Sequence, residues 1–380
     1  RCRAAGVRAL RIAPHARLTE HSVVTPSVLR PPRHGPTGDE PPGDGLLATD
    51  RLARPWHDLR VSVTDRCNFR CTYCMPREVY GQAFRFLPHE QLLTFEEITR
   101  LARVAIRLGV RKVRLTGGEP LLRRDLEVLV GKLAALEGLS DLTLTTNGSL
   151  LARKAEALAE AGLQRVTVSL DSLDDEVFAR LNDVDFPVAR VLDGIAAAER
   201  AGLAPIKVNM VVRRGVNEDS IVPMARFARQ RGYTLRFIEY MDVGHTNGWE
   251  LAEVVPATEI LERVDAEMPL EALAPNYPGE VATRWRYRDG SAEIGIIASV
   301  TRPFCGSCTR ARLTAEGMLF TCLFGIRGTD MRAPLRRGVD DSALGTMLLG
   351  VWRARTDRYS EIRSDATLEL PKVEMSRIGG

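Results

Sequence analysis

A repeated alternation of short β-branched runs with amphipathic runs constrains the fold of this chain more than any other feature. We predict strands at residues 59–64, 112–116, 141–145, 165–170, 206–212 and 234–240. Between them apolar residues recur at helical spacing, as at Ile98, Leu101, Ala105 and Leu108. Glycines suited to left-handed helix caps precede the next strands: Gly109, Gly138, Gly162, Gly202 and Gly232. Six strand–helix units in a row predict a parallel sheet with right-handed crossovers.

The fold class that follows is α/β, with a partial six-unit (β/α) barrel of the TIM type. In such a barrel, ligands bind at the carboxyl ends of the strands. A doubly wound open sheet is the alternative. After about Trp249 the pattern changes, because two hairpins are predicted, one around Asp289–Gly290 and one around residues 315–317. We expect this smaller, partly β region to pack against the barrel.

Three segments are therefore predicted: a disordered extension (1–50), the barrel (51–245) and the C-terminal region (246–380). The first nineteen residues carry five arginines and no acid, and a Pro/Gly-rich stretch follows. This composition predicts disorder, with an organellar transit peptide as the alternative. The formal net charge of +4 is too small to indicate binding of nucleic acid. The sequence contains no run of 18 apolar residues, which argues against a membrane-spanning helix. We expect neither nucleic acid nor a membrane as partner.

Six of the seven cysteines form two groups of three, which we call the first triplet (Cys67, Cys71, Cys74) and the second triplet (Cys305, Cys308, Cys322). A chain this long does not need disulfide staples, and three thiols within eight residues are typical of metal ligands. The first triplet directly follows the first predicted strand. The hairpin around residues 315–317 is expected to bring Cys322 beside Cys305 and Cys308.

Each triplet stops one ligand short of a closed structural zinc site, which takes four. The nearest candidates for a fourth ligand of the first triplet are His57 and His89. A cubane iron–sulfur cluster on three thiolates leaves one iron open, so that iron can chelate a small molecule. We favour iron–sulfur clusters because zinc motifs normally pair their cysteines. Zinc with a distant ligand and buried inert thiols are the alternatives.

Basic side chains on the predicted strands indicate an anionic ligand. Charges that point into a barrel core are costly without an anion, although a solvated outer face or ion pairs would also accommodate them. No GxxxxGK[ST] phosphate loop is present, so side chains must replace it. Arg310 and Arg312, two residues apart, lie between Cys308 and Cys322 and add candidate phosphate contacts. The strand residues are Arg60, Lys112, Arg114, Lys207 and Arg236.

The first triplet, with Tyr73 before its last cysteine, resembles the signature of radical S-adenosylmethionine (SAM) enzymes. The glycine-rich turn at residues 116–120 resembles the turn of that superfamily that meets the methionyl amine of SAM. The second triplet, residues 65–70 and 309–312, and the terminal Gly379-Gly380 narrow the resemblance to the GTP 3′,8-cyclases of molybdenum cofactor biosynthesis. The resemblance covers residues 52–380.

This resemblance implies a lyase with a radical SAM barrel, two [4Fe-4S] clusters and bound SAM. The implied reaction converts GTP to 3′,8-cyclo-7,8-dihydroguanosine 5′-triphosphate, the first step of molybdenum cofactor (molybdopterin) biosynthesis. A 5′-deoxyadenosyl radical abstracts the ribose C3′ hydrogen. The first triplet would hold the cluster that binds SAM, and the second triplet the cluster that binds substrate. A peptide-modifying radical SAM enzyme with an auxiliary cluster and a zinc-binding nucleic-acid module are the alternatives.

The resemblance also assigns residues and partners. No side chain beyond the cluster ligands receives a catalytic role, and the Gly379-Gly380 tail is expected to reach the active site. SAM contacts are expected at Tyr73, Gly118, Ser169 and Met241. GTP contacts are expected at Arg60, Lys112, Arg114, Thr145, Lys207, Arg236, Arg310 and Arg312. The expected partners are an electron donor of the flavodoxin or ferredoxin type, a downstream cyclic pyranopterin monophosphate synthase and a second copy of the chain. The expected compartment is the cytoplasm, with the mitochondrial matrix as the alternative.

Overall fold

The computed structural model describes residues 48–364, 370 and 372–379, which belong to one compact unit. The predicted extension up to residue 47 and Gly380 lie outside the described residues. Ala48 and Asp50, which we had included in the extension, are buried. The Asp50 carboxylate accepts a hydrogen bond from Arg54 Nε at 2.6 Å and lies 3.3 Å from Arg355 Nη1. The described chain is therefore fixed in the fold from its first residues.

The described strands form one sheet, which is not closed. Its order is β12-β11-β10-β1-β2-β3-β4-β5-β6-β9-β8-β7. The strands are β1 (Asp58–Ser62), β2 (Lys112–Thr116), β3 (Asp141–Thr146), β4 (Arg165–Ser169), β5 (Lys207–Val212), β6 (Thr234–Glu239), β7 (Leu270–Leu273), β8 (Thr283–Tyr287), β9 (Glu293–Ile297), β10 (Arg310–Leu313), β11 (Met318–Phe320) and β12 (Thr329–Asp330). All six predicted barrel strands are present, each within two residues of its predicted ends.

Strands β1 to β6 pair in chain order and are all parallel, as predicted. Both predicted hairpins form, and each adds a further parallel strand to one edge of this array. Strand β10 pairs in parallel with β1, and β9 pairs in parallel with β6. The C-terminal region thus continues the barrel sheet on both sides. The predicted α/β fold with a partial, open barrel is confirmed.

Helices cover the sheet and bury the faces that the sequence pattern indicated. The capping box at the start of the first helix joins Thr94 and Glu97. In the same helix Ile98, Leu101 and Ala105 are buried. None of the helices in the described ranges is long and apolar enough to cross a membrane. The helices are α1 (Phe95–Arg107), α2 (Leu126–Ala134), α3 (Leu151–Glu160), α4 (Asp175–Asn182), α5 (Val188–Arg200), α6 (Ile221–Arg231), α7 (Ala257–Asp265), α8 (Arg332–Arg336), α9 (Asp341–Arg353) and α10 (Met375–Ile378).

A buried carboxylate joins the last barrel strand to the C-terminal region. Glu239, at the end of β6, is fully buried. It accepts hydrogen bonds from the backbone N–H of Ala257 at 2.9 Å, of Val300 at 2.8 Å and of Thr301 at 2.9 Å. One side chain therefore satisfies donors at the start of α7 and after β9.

We predict that Glu239→Gln lowers the free energy of unfolding by about 1–3 kcal/mol. The glutamine amide has an NH2 group in place of one carboxylate oxygen, and this group cannot accept the hydrogen bonds made to that oxygen. Urea denaturation followed by circular dichroism measures the change. Glu262→Gln, at an exposed position of α7, is the control and should shift stability by less than about 0.5 kcal/mol. Equal stability of the two variants would contradict this role of Glu239.

Candidate functional site

A large cavity opens at the carboxyl ends of the barrel strands. Thr116, Thr146 and Ser169 line it from the last positions of β2, β3 and β4. All six cysteines of the two triplets also line it. The fold thus brings two groups of thiols together that lie more than 200 residues apart in the sequence. The first triplet follows β1 and so lies where the barrel architecture predicts a ligand site, whereas Cys305 and Cys308 precede β10, whose first residue Arg310 pairs with Asp58 at the amino end of β1.

The first triplet lies on a tight turn after β1. The backbone N–H groups of Cys74 and Met75 donate to the carbonyl of Cys71 at 2.9 and 2.8 Å. The backbone N–H of Phe69 lies 3.4 Å from the Cys67 sulfur, and the Phe69 ring packs against Phe178. All three cysteines are free thiols. Burial raises the pKa of the Cys67 thiol to about 12 and raises the pKa values of the other two as well.

The second triplet begins with Cys305 in a short 3-10 helix, Cys305–Ser307. Its last member, Cys322, lies two residues after the end of β11. The Phe324 N–H donates to the Cys322 sulfur at 3.5 Å. Arg310 donates to the Cys308 sulfur at 3.2 Å, and Arg355 donates to the Cys308 carbonyl at 2.6 Å. Burial alone would raise the pKa of Cys308, but these guanidinium groups outweigh it and lower that pKa to about 6.

Arginines from three adjacent parallel strands form a row between the two triplets. Arg60 on β1 lies in register with Arg114 on β2 and with Arg312 on β10. All three line the cavity, as do Arg236 and Arg310. Burial and the neighbouring guanidinium groups lower the pKa of Arg312 to about 9 and that of Arg114 to about 10, and they lower the pKa of Arg60 strongly. Positive charges packed this closely favour binding of a polyanion.

The row has few internal partners among the described residues. Arg114 donates to the Thr145 hydroxyl at 2.7 Å and to that of Thr167 at 3.1 Å. Within the described ranges, no carboxylate lies within 4.0 Å of the guanidinium groups of Arg60 and Arg236, and no hydrogen bond to them is formed. As far as the described residues go, the donors of these two guanidinium groups therefore stay available for a ligand.

Two lysines assigned to GTP from the resemblance do not line the cavity. Lys112 lies at the amino end of β2, where its ammonium is 3.1 Å from the carboxylate of Asp141 and 3.8 Å from that of Asp58. Lys207 lies at the amino end of β5. Burial and nearby cations, Arg236 foremost, lower its pKa to about 6. For Lys112 the structure thus shows the ion pairs that the sequence analysis gave as an alternative to an anionic ligand. The GTP contacts of Lys112 and Lys207 stay predictions.

Sequence comparison decides the family. Residues 61–228 match the Radical SAM superfamily, and residues 233–361 match Molybdenum Cofactor Synthesis C. The chain is 56% identical over 356 residues to the GTP 3′,8-cyclase of Acidothermus cellulolyticus and 50% identical over 331 residues to that of Xanthomonas axonopodis pv. citri. Each match covers 87% of this chain and 98% of the relative. The chain belongs to the GTP 3′,8-cyclase family.

Solved structures agree on the fold of this GTP 3′,8-cyclase family member. The structure of Streptococcus suis SuiB bound to S-adenosylmethionine matches with a TM-score of 0.58, covering 82% of this chain and 69% of SuiB at 16% identity. SuiB bound to the precursor peptide SuiA matches with a TM-score of 0.56, covering 83% of this chain and 68% of SuiB at 18% identity. At these identities the likeness concerns the fold alone.

As a radical SAM enzyme of this family, the chain uses SAM and [4Fe-4S] clusters, and its two triplets fit such clusters. Each triplet supplies three free thiols to one cavity, and at the second triplet the guanidinium groups of Arg310 and Arg355 favour the thiolate of Cys308. In the described part of the chain, no three His, Cys, Asp or Glu side chains are placed to hold a single metal ion. The histidines considered as fourth zinc ligands, His57 and His89, do not line the cavity.

All four predicted SAM contacts line the cavity that the first triplet also lines. The Tyr73 hydroxyl donates to Asp171 Oδ2 at 2.7 Å, and Asp171 is buried. Burial raises the pKa of Asp171 to about 6 although this hydrogen bond opposes the shift. At Gly118 a Cβ atom would overlap the carbonyl of Arg66. Glycine is therefore required there for the turn to pass close to the first triplet. Ser169 and Met241 complete this set.

Sequence reasoning missed polar residues beside the expected contacts. Asn147, to which the sequence analysis assigns no contact, lines the cavity, and its amide donates to Asn68 at 3.0 Å. Glu119 accepts hydrogen bonds from the Thr146 hydroxyl and the Asn147 N–H, both at 2.7 Å, and so joins the turns after β2 and β3. Asp171 also went unassigned. Each follows the carboxyl end of a strand, which was the signal available in the sequence.

The tail approaches the same arginine row. Met375 of α10 lines the cavity, and the Gly379 carbonyl accepts a hydrogen bond from Arg312 Nη1. A Cβ atom at Gly379 would overlap the side chain of Thr116. The expected second glycine, Gly380, lies outside the described residues.

We predict that Cys71→Ser and Cys308→Ser each remove about half of the iron and sulfide from the anaerobically reconstituted chain, because each breaks one of two three-thiol sites. Elemental and sulfide analysis measures the loss. Ser307→Ala, between two ligands of the second triplet, is the control and should retain the full content. Loss of all iron in either cysteine variant, or zinc in place of iron, would contradict two separate cluster sites.

We predict that Lys207→Met raises the melting temperature of the protein without GTP, and more at pH 7 than at pH 10. The pKa of Lys207 falls from 10.5 to about 6 in the fold. Between these two pH values the Lys207 side chain is protonated in the unfolded chain but not in the folded one. Folding therefore becomes less favourable as pH drops from 10.5 towards 6. Lys132→Met on α2, where Lys132 pairs with Glu96 at 3.2 Å, is the control. A stabilisation by Lys207→Met that is equal at both pH values would disprove this explanation.

Proposed function

We propose that this chain converts GTP to 3′,8-cyclo-7,8-dihydroguanosine 5′-triphosphate, the first step of molybdenum cofactor biosynthesis. The observation that carries the proposal is the arginine row of Arg60, Arg114 and Arg312, which lies in one cavity between two three-thiol sites. A nucleoside triphosphate supplies both the negative charge that the row requires and a base that can reach the second triplet. The names of the relatives support the same substrate.

When bound, the clusters and SAM would supply the radical chemistry that activates the ribose C3′ position. The chain itself positions the reactants. Cys67, Cys71 and Cys74 would hold the cluster that binds SAM, and the second triplet would hold the cluster that binds the guanine base. The triphosphate binds the arginine row, with Arg310 beside it. The ribose then lies between the two triplets, with C3′ towards the SAM contacts.

Apolar side chains keep water from the reacting atoms. Val211, Ile238, Ile297 and Leu323 line the cavity between its polar groups. Met375 adds a further apolar contact from the tail. A carbon radical abstracts hydrogen from accessible donors, so a dry cavity protects the reaction. The SAM contacts then fix the orientation of SAM relative to the ribose. Tyr73 is held by its hydrogen bond to Asp171, Gly118 lets the backbone pass close to the first triplet, and Ser169 and Met241 lie at or just after strand ends.

The proposed partners follow from the reaction. An electron donor of the flavodoxin or ferredoxin type reduces the first cluster, and a cyclic pyranopterin monophosphate synthase consumes the product. We further propose the cytoplasm as the compartment, because open irons require a reducing environment, and a homodimer as the assembly.

Anaerobic incubation with dithionite, SAM and GTP tests the function. We expect GTP to be consumed with formation of 5′-deoxyadenosine, and chromatography with mass spectrometry detects both. Guanosine in place of GTP should give little 5′-deoxyadenosine, because it lacks the charge that the arginine row binds. Cleavage of SAM that depends on a peptide and not on GTP would instead establish the peptide-modifying alternative.

We predict that Arg60→Met weakens GTP binding at least about tenfold, which corresponds to about 1.4 kcal/mol, and at the same time raises the melting temperature without GTP. GTP binding weakens because the substitution removes a phosphate partner. The melting temperature rises because the substitution also removes repulsion within the arginine row. Equilibrium binding and thermal denaturation of the loaded protein measure the two effects. Arg302→Met, at an exposed position near the second triplet, is the control. Lower stability combined with unchanged GTP affinity would show that Arg60 is structural.

A further inference from the structure

The tail, residues 372–379, is fastened to the loop after β6, residues 241–247, at two separate points. The first is a buried ion pair. Lys372 is 8% exposed and Asp242 is 3% exposed. The Lys372 ammonium donates to Asp242 Oδ2 at 2.8 Å and to the Asp242 carbonyl at 3.1 Å. A buried lysine with these two partners holds its segment of chain firmly, because separating the pair would leave a charge without compensation.

Asp242 also binds two residues that lie earlier in the C-terminal region. It accepts hydrogen bonds from the Tyr359 hydroxyl at 2.5 Å and from Arg363 Nε at 3.0 Å. The Tyr359 ring stacks on Phe324 with 4.3 Å between ring centroids. Phe324 follows Cys322 by two residues, and Met241 directly precedes Asp242. One carboxylate therefore joins the tail to the loops that carry the second triplet and a SAM contact.

The second point of attachment is Glu374. Its carboxylate accepts hydrogen bonds from the His245 N–H and from the Thr246 hydroxyl, each at 2.9 Å. It lies against Gly244, where a Cβ atom would overlap the carboxylate. Gly244 has φ of +79°, a conformation that favours glycine. The loop after β6 can therefore accommodate the Glu374 carboxylate only because residue 244 is glycine.

Both anchors act on the end of the tail. Helix α10 spans four residues, too few to hold its own position. Five residues beyond Glu374, the Gly379 carbonyl accepts a hydrogen bond from Arg312 Nη1. Arg312 stands beside Arg60 and close to Arg310, whose positive charges repel its guanidinium group. A neutral carbonyl can fix one N–H of that group without cancelling its charge, and the other donors stay available for phosphate.

We propose that Asp242 and Glu374 are positioning residues for the triphosphate. They fasten the tail so that the Gly379 carbonyl holds the Arg312 guanidinium in the orientation that binds phosphate. This inference rests on the proposed function, because it takes GTP as the ligand of the arginine row. Neither residue lines the cavity, so both act through Arg312.

The test measures the affinity of the anaerobically reconstituted holoenzyme for GTP and, separately, for SAM. We expect Asp242→Asn and Glu374→Ala each to weaken GTP binding about tenfold while the SAM affinity changes less than about twofold. Lys372→Met should also weaken GTP binding, and the double variant should bind GTP no more weakly than Asp242→Asn alone, because both substitutions break the same Lys372–Asp242 ion pair. Lys372→Arg keeps the charge and should restore most of the affinity.

Asp341→Asn is the matched control. Asp341 also bridges two cations, Arg100 at 2.7 Å and Arg107 at 3.1 Å, but it joins α9 to α1 and not the tail. Its substitution should leave GTP affinity unchanged.

Three results would overturn the proposal. If the anchor variants melt at lower temperature but bind GTP as the parent does, the anchors are structural only. If they bind GTP more tightly, the tail competes with phosphate for Arg312. If the parent holoenzyme itself does not bind GTP, the proposed function fails, and this inference fails with it. Because Glu374 is only partly buried, Glu374→Ala keeps the test decisive even where Asp242→Asn does not fold.

Discussion

Repulsion among buried guanidinium groups is the constraint on which the rest of this structure depends. Arg60, Arg114 and Arg312 stand side by side on three neighbouring strands and, among the described residues, face no carboxylate within ion-pair distance. Holding like charges together in a cavity destabilises the protein unless an anion joins them. The barrel must therefore be stable enough to hold this row in place until the ligand binds. Its wall of parallel strands, covered by helices, provides that stability.

The strand order explains how the row is completed. Arg60 and Arg114 come from consecutive units of the barrel, but Arg312 comes from β10, about 250 residues later in the chain than Arg60. Pairing of β10 with β1 puts Arg312 into register with Arg60 and, at the same time, brings the second triplet to the cavity. One strand pairing therefore completes the arginine row and places the second triplet in the same cavity. The C-terminal region is for this reason a part of the active site and not an appendage.

Local patterns in the sequence were enough to predict the six barrel strands, both hairpins and the two groups of three cysteines. Apolar periodicity and glycine caps are local signals, and the cysteine spacing is a signal of the same kind. The parallel pairing of β9 and β10 with the barrel edges was not predictable in this way, because it depends on contacts between distant segments. The same limit applies to Lys112: its place on a strand is readable, but its ion pairs with Asp58 and Asp141 are fixed by neighbouring strands. The support of the tail by Asp242 is likewise tertiary.

The central claim is that the cavity is built for the phosphates of its ligand. The most direct measurement compares the thermal stability of the anaerobic, cluster-loaded protein with saturating guanosine, GDP and GTP. We expect the melting temperature to rise with each added phosphate, and the gain to shrink at high salt because the interaction is between charges. Equal stabilisation by guanosine and GTP would show that the arginine row contributes nothing to binding.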